Sequence, residues 1–289
     1  MRNRLTFLLA ALMLGTFMSG ASTPGSPSLR ERLGVFSWHE ENVTDPESRD
    51  RMFDTLSDLG AGEVYQAMRA GRGARAFLEQ AHGLGIGVYV LAGQPEWGLD
   101  PQGKAMVEEV ERVAEMRERY GDAGPAGLML DVEPYLTRKY RRGTKDAREV
   151  MDAFLEGMRA AYARAGEKGV TLLFCLPYWL DTRGFADHVD ALIGEASDGV
   201  ALMNYMKSNE AANVENELAA AQRNGKRFIH IYELQRPGKY GLTERNTYYR
   251  EGLEGVFQSR EKLLDAYDYE GLSFALHEYD ALKGILDRE

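Results

Sequence analysis

Asp131 and Glu133 stand two positions apart at the end of the apolar run 127–130. Residues two apart in a β-strand point to the same face, so both carboxyls are expected to enter one pocket. Two carboxyls in one pocket cannot both ionise freely, and the pKa of one should rise enough for it to act as a general acid near neutral pH. The competing interpretation is that Asp131 caps the following loop or pairs with a cation such as Arg138.

The pair belongs to the fourth of eight apolar runs that alternate with amphipathic segments. The runs span residues 33–38, 62–66, 85–92, 127–133, 170–177, 199–205, 227–233 and 272–278. Most are almost continuously apolar, which is typical of parallel strands covered on both faces. This pattern predicts an α/β fold, a single (β/α)8 TIM barrel, with a doubly wound open sheet as the alternative. No glycine-rich nucleotide-binding motif follows an early strand, which favours the barrel.

Helix signals separate these runs. Thr44 and Asp45 offer a cap before Pro46, and apolar residues then follow at helical spacing. The segment 145–166 repeats this spacing, and Gly166 is the expected end of its helix.

Barrel enzymes carry their chemistry at the C-terminal ends of the strands. Aromatic rings, amides and acidic groups stand at these ends, and this mixture suits a sugar, whose hydroxyls need both donors and acceptors. The alternative for each ring is packing between a loop and the barrel rim. The candidate substrate-binding residues are Trp38, Gln94, Trp97, Tyr135, Tyr178, Trp179, Asn204, His277 and Glu278.

The segment AGLMLDVE (126–133) resembles the strand-4 motif D-G-x-D-x-D-x-E of family-18 glycoside hydrolases, which include chitinases and related N-acetylglucosaminidases. It matches at Gly127, Asp131 and Glu133. The segment MNYM (203–206) is similar to the Met-x-Tyr-Asp segment on strand 6 of that family, with Tyr205 as the tyrosine.

That resemblance implies a substrate-assisted mechanism. Glu133 would protonate the glycosidic oxygen, Asp131 would orient the 2-acetamido group of the substrate, which acts as the nucleophile, and Tyr205 would hydrogen-bond that group. Three acidic positions of the two family motifs are occupied by Ala126, Met129 and Met206 here. The tryptophan usual near the end of strand 8 is also absent.

A second resemblance is to the retaining barrel glycosidases with Asn-Glu-Pro at the end of strand 4. Glu133 and Pro134 keep the Glu-Pro step, with Val132 in place of the Asn, and Glu233 ends the seventh run. Under that resemblance Glu133 is the acid/base and Glu233 the nucleophile, with carboxyls about 5–5.5 Å apart for retention and about 6.5–9.5 Å apart for inversion. The competing interpretation is that Glu233 is a rim acid paired with Arg236 or Lys239.

The composition restricts the partners. The 289 residues have a formal net charge of −10, which argues against a nucleic-acid partner, since such binding requires Lys and Arg to neutralise phosphates. Cys175 is the single cysteine and stands in an apolar run, so it is interpreted as a small buried hydrophobe. The five histidines lack metal-ligand spacing, so no metal and no cofactor are predicted.

The N-terminal residues have the pattern of a signal peptide, with Arg2 and Arg4 before the apolar stretch 5–18 and small residues at 19–21. We predict a signal peptide at 1–21, a linker at 22–30 and the catalytic barrel at 31–289. The apolar stretch is short for a membrane span, so the mature form is expected to have none and to be secreted or periplasmic.

These features together predict a secreted glycoside hydrolase acting on a polysaccharide or glycan, including those that contain N-acetylhexosamine. The catalytic candidates are Glu133, Asp131, Tyr205 and Glu233. A non-catalytic carbohydrate-binding barrel is an alternative. A barrel enzyme of small-molecule metabolism is disfavoured, because no glycine-rich phosphate-binding turn follows the seventh or eighth run.

Overall fold

Eight parallel strands form a closed barrel in the computed structural model, which describes residues 32–288. The strands are β1 (Leu33–Ser37), β2 (Glu63–Gln66), β3 (Gly87–Ala92), β4 (Gly127–Leu130), β5 (Thr171–Pro177), β6 (Gly199–Met203), β7 (Arg227–Glu233) and β8 (Leu272–His277). Each strand pairs with the next, and β8 pairs with β1 to close the barrel. The predicted TIM barrel is confirmed. The predicted signal peptide and linker lie outside the described residues.

Helices connect the strands and cover the barrel. They are α1 (Glu41–Thr44), α2 (Pro46–Asp58), α3 (Ala74–Gly83), α4 (Lys104–Tyr120), α5 (Lys145–Lys168), α6 (Ala186–Glu195), α7 (Glu210–Asn213), α8 (Glu215–Arg223), α9 (Gly252–Ala266) and α10 (Tyr279–Leu286). Pro46 is the first residue of α2, and the Asp45 carboxylate accepts a hydrogen bond from Ser48 N, as the capping pattern predicts. Helix α5 runs past Gly166 and ends at Gly169, whose φ of 63° suits a glycine.

Alternation along the strands divides the apolar residues into two cores. Phe36, Met129, Leu173 and Ile231 belong to a cluster inside the barrel. A larger cluster lies between the strands and the surrounding helices, where the other face of each strand is buried. Successive side chains of each strand therefore alternate between the inner and the outer cluster, as the strand periodicity predicts.

An ion pair fills the interior at the N-terminal end of the strands. The Arg227 guanidinium donates to both oxygens of Glu63 at 2.8 and 2.6 Å, and Tyr65 Oη donates to Glu63 Oε2 at 2.8 Å. Burial alone would raise the pKa of Glu63, but the charge and hydrogen bonds of Arg227 outweigh burial and lower that pKa. Polar groups at this end therefore satisfy one another.

No helix among residues 32–288 is both long enough and apolar enough to cross a membrane.

Replacing Arg227 with Met is expected to lower the free energy of unfolding by about 3–5 kcal/mol, because Glu63 would be left as a buried carboxylate without its main partner. Chemical denaturation measures this loss. The matched control is Arg223→Met, which breaks the exposed pair between Arg223 and Asp190 (2.9 Å) and should cost less than about 1 kcal/mol. Equal losses in the two variants would contradict the role given to the buried pair.

Candidate active site

Asp131 lies just beyond β4, at the mouth of the barrel. Its Oδ1 is buried without a hydrogen-bond partner among the described residues, and the Cys175 thiol lies beside the carboxyl. Burial and the charge of Glu133 raise the pKa of Asp131 to about 7, and His277 opposes this rise. No ion pair joins Asp131 to Arg138 within the described residues, so Asp131 keeps a proton up to near-neutral pH.

Close backbone contact with β3 fixes the position of Asp131. Its N–H donates to Ala92 O at 2.9 Å, which continues the ladder past the last residue of β4. A Cβ atom on Gly93 would lie 1.8 Å from Asp131 O, so only glycine permits this approach. Gly93 thus sets the backbone position of the acid.

Glu133 is held by an aromatic neighbour. The Tyr135 hydroxyl donates to Glu133 Oε2 from the short 3-10 turn Pro134–Leu136. The Tyr135 ring packs edge-on against Trp179, with centroids 5.0 Å apart. Burial and the Glu133 charge raise the pKa of Tyr135 well above its usual range, so Tyr135 remains a hydrogen-bond donor.

Glu233 and His277 form a second pair at the mouth. They are register partners on β7 and β8, and His277 Nδ1 lies 2.9 Å from Glu233 Oε2. Glu233 Oε1 accepts the backbone N–H of Gln235 at 2.7 Å, and Glu233 is only 3% exposed. Burial would lower the pKa of His277, but the hydrogen bond and charge of Glu233 outweigh burial and raise it. Both Glu233 oxygens are therefore occupied, and His277, rather than Arg236 or Lys239, is the partner.

Tyr205 completes the group. Its ring centroid lies 5.9 Å from that of His277, and its hydroxyl has no hydrogen-bond partner among the described residues. Burial, Glu233 and Asp131 raise the pKa of Tyr205 well above its usual range. Asp131, Glu133, Tyr205 and Glu233 thus interact electrostatically at one mouth, with a neutral hydroxyl available to a ligand.

The predicted aromatic residues divide between the two cores. Trp38 packs against the interior cluster, and Gln94 is exposed beyond β3. The others pack against the outer cluster: Trp97, Tyr178 and Trp179. Trp38 is therefore the tryptophan best placed to face a ligand inside the mouth.

Asn204 and Glu278 are engaged elsewhere. Asn204 is buried outside the barrel interior, where its Nδ2 donates to Glu210 O at 3.1 Å and lies 3.1 Å from His230 Nε2. Glu278 is 5% exposed and caps α10 through the N–H of Asp280. The structure does not bring the Asn204 side chain to the mouth, because it follows the outward face of β6.

His39, Glu278 and Asp280 bring possible metal-ligand atoms within 4.8 Å of one another. His39 Nε2 lies 3.0 Å from Asp280 Oδ2, and Lys283 Nζ lies 2.6 Å from Asp280 Oδ1. Asp280 thus has a partner in Lys283 and Glu278 has one in the N–H that it caps, so both carboxyls are engaged within the protein.

Sequence reasoning missed two residues of the site, Cys175 and Gly93. Met129 pairs in register with Leu173, so the next inward residues, Asp131 and Cys175, become neighbours. Alternation combined with strand register would have identified the cysteine. The close approach at Gly93 has no signal in a single sequence.

No protein-family model matches the chain, and no curated protein sequence matches it significantly. Solved structures of similar fold include the glycoside hydrolase domain of PgaB (BpsB) from Bordetella bronchiseptica, with 14% identity, a TM-score of 0.51 and coverage of 89% of this chain and 96% of that one. A family-18 chitinase from Pseudoalteromonas aurantia has 11% identity, a TM-score of 0.51 and coverage of 89% and 100%. A β-N-acetylhexosaminidase from Bacteroides fragilis has 13% identity, a TM-score of 0.51 and coverage of 85% and 60%.

These neighbours are glycoside hydrolases of barrel fold, and at such identities the likeness extends to the fold alone.

Replacing Asp131 with Asn is expected to stabilise the protein in a pH-dependent way. The folded-state pKa of about 7 exceeds the ordinary aspartate pKa of 3.8, so the folded state binds more protons between these values and wild-type stability falls as pH rises. The advantage of the variant should therefore grow from about pH 4 to about pH 7 and reach about 1–4 kcal/mol.

Chemical denaturation of both proteins across this pH range measures the difference. The matched control is Asp122→Asn, which alters an exposed carboxyl and should give a difference independent of pH. A constant difference for Asp131→Asn would refute the raised pKa.

Proposed function

We propose that this chain is a glycoside hydrolase that cleaves an N-acetylhexosamine-containing polysaccharide or glycan, with Glu133 as the general acid. The observation that carries this proposal is the carboxyl pair Asp131 and Glu133 at the mouth of a closed barrel, where burial and the charge of Glu133 raise the pKa of Asp131 to about 7. The barrel fold, shared with glycoside hydrolases, and the free hydroxyl of Tyr205 support it.

In the first step the acetamido carbonyl oxygen of the substrate attacks the anomeric carbon and the glycosidic bond breaks. The acetamido N–H donates to Asp131 and stabilises its ionised form, so the proton that Asp131 held passes to Glu133. Glu133 then gives this proton to the leaving oxygen. Tyr205 donates its hydroxyl hydrogen to the acetamido oxygen and fixes its direction of attack.

In the second step water attacks the anomeric carbon of the cyclic oxazolinium ion and opens the ring that the acetamido oxygen had closed. Glu133, now a carboxylate, takes the proton from this water. Asp131 remains ionised beside the positive charge of the ion and stabilises it. The two attacks on opposite faces give net retention of configuration.

The two-glutamate alternative requires Glu233 as the nucleophile, and its inward position on β7 is the observation that favours it. Its environment opposes this role, because both oxygens already have partners in Gln235 and His277. We therefore assign Glu233 as a positioning residue that orients His277 against Tyr205. The proposal includes export, since residues 1–21 have the pattern of a signal peptide.

Replacing Glu133 with Gln is expected to lower kcat/KM on any glycan that the wild type cleaves by about 10²–10⁴-fold, since an amide cannot protonate the leaving group. Product release from N-acetylhexosamine polymers and oligomers is the measurement. The matched control is Glu118→Gln, an exposed glutamate near the C-terminal end of α4, away from the mouth, which should leave kcat/KM unchanged. Unchanged activity in Glu133→Gln, or binding without product release in the wild type, would refute the proposal.

Two aryl glycosides that differ only at C2 separate the two mechanisms. The substrate-assisted mechanism requires the 2-acetamido compound and predicts a loss of about 10³-fold or more with a 2-hydroxyl, because the attacking oxygen is then missing. The two-glutamate mechanism predicts cleavage of both compounds. It also predicts that azide restores the activity of Glu233→Ala and forms a glycosyl azide. The second set of results would assign Glu233 as the nucleophile.

A further inference from the structure

The loops at the mouth differ in charge from the rest of the chain. The chain has 35 basic and 45 acidic residues, yet the loop after β4 (134–144) contains four basic residues and no acidic one. The loop after β7 (234–251) contains four basic residues and two acidic ones, Glu244 and Glu251. Positive charge is therefore concentrated on one part of the rim of an acidic protein, which produces a local field that attracts anions.

Most of the cations after β4 are free to bind a ligand. Arg138, Lys139 and Arg142 are exposed and have no ion-pair partner among the described residues. Arg141 lies 3.8 Å from Asp146, at the edge of ion-pair distance. Arg138, Lys139 and Arg141 also line an open cleft of about 420 Å³, together with Asp146 and Glu149. This part of the rim can take negative charge without first breaking an internal pair.

Aromatic contacts connect this basic loop to the proposed acid. Tyr140 lies within the loop, and its ring centroid is 6.5 Å from that of Tyr135, which hydrogen-bonds Glu133. Arg183, from the loop after β5, lies 5.8 Å from the centroid of Trp179, and Trp179 packs against the same tyrosine. The basic loop and Arg183 are therefore connected to Tyr135, which hydrogen-bonds the proposed acid, through one or two aromatic contacts.

Cations also stand across the mouth, after β6 and β7. Lys207 N donates to Arg245 O at 2.9 Å, and Asn246 Nδ2 donates to Tyr205 O at 2.7 Å, so these loops pack together beside Tyr205. Arg236 and Arg245 are exposed and have no ion-pair partner in the described part of the chain. The basic part of the rim thus extends from the loop after β4 to the loop after β7.

The remainder of the mouth does not favour an anion. Glu40 and Glu96 follow β1 and β3, and Asp280 stands in the first turn of α10 after β8, although Arg69 and Arg72 follow β2. Asp131, Glu133 and Glu233 stand together at the mouth itself, and negative charge on these carboxyls would repel an acidic group on the reacting sugar. An anionic ligand would therefore place its charges on the rim and an uncharged sugar in the pocket.

Building on the proposed function, we infer that the substrate is an acidic glycan, in which carboxylate- or sulfate-bearing sugars flank an uncharged N-acetylhexosamine. The flanking anions contact the basic residues after β4 to β7, with Arg138, Lys139 and Arg142 as the principal contacts. The uncharged sugar lies against Asp131 and Glu133.

The first test compares polymers of alternating uronate and N-acetylhexosamine (hyaluronan, chondroitin and heparosan) with the same polymers after carboxyl reduction. The wild type is expected to cleave the best acidic polymer with a kcat/KM at least about tenfold above that of its reduced form at low salt, and added NaCl should shrink this ratio. Equal cleavage of acidic and reduced polymers would overturn the inference and leave the proposed function intact.

The second test reverses charge on the rim. The triple variant Arg138→Glu, Lys139→Glu and Arg142→Glu should lower kcat/KM on the acidic polymer by about tenfold or more and on its reduced form by less than about twofold. The control triple variant carries the same change of net charge on the side of the barrel away from the mouth. It replaces exposed cations at the C-terminal ends of α4, α5 and α8: Arg119→Glu, Lys168→Glu and Arg223→Glu. A similar loss in the control would overturn the assignment to the rim.

Binding to Glu133→Gln separates this inference from the proposed function. If the wild type cleaves neither the polymers nor any neutral N-acetylhexosamine oligomer, the proposed function fails. Titration calorimetry with Glu133→Gln then still measures whether the acidic polymers bind more tightly than their reduced forms. Absence of that preference, or tighter binding of single-stranded DNA than of every acidic polymer, would overturn the inference.

Discussion

Closure of the eight strands forces every second side chain into one interior that is shielded from water. Each polar group in that interior therefore needs a partner, and both the stability of the fold and the chemistry of the mouth depend on which partner it has. In the middle of the barrel the inward residues are apolar, as at Phe36 and Leu173. Polar groups occur only toward the two ends. A carboxylate placed there must have a partner or keep its proton, because ionisation without compensation is too costly.

The two ends of the barrel meet this requirement in opposite ways. At the N-terminal end, Arg227 supplies Glu63 with a charge and two hydrogen bonds, so that carboxylate stays ionised. At the mouth, Asp131 has no such cation, and burial beside Glu133 makes it hold a proton instead. The first arrangement stabilises the fold and offers nothing to a ligand. The second is unfavourable for folding and leaves an acid that a ligand can engage.

The sequence was sufficient for features that depend on periodicity. Continuous apolar runs predict the parallel strands, and a spacing of two predicts that Asp131 and Glu133 share a face. Contacts between strands required more information. The partner of Glu233 is His277, because the register of β7 and β8 makes them neighbours, whereas charge alone had suggested Arg236 or Lys239. Asn204 faces outward, since one position along a strand reverses the side of the sheet.

In the proposed site, the residues assigned to catalysis are shielded from water and the residues assigned to recognition are exposed to it. The carboxyl pair requires a shielded position, since burial and the charge of Glu133 are what raise the pKa of Asp131. Arg138 and Lys139 require exposure, because a buried, unpaired cation would be too costly to keep. A single segment provides both, as the chain leaves the pocket at Glu133, turns through Pro134–Leu136 and reaches the surface at Arg138. Under the proposed function, changes in residues 136–144 would alter which glycan is bound while Tyr135 continues to hold Glu133.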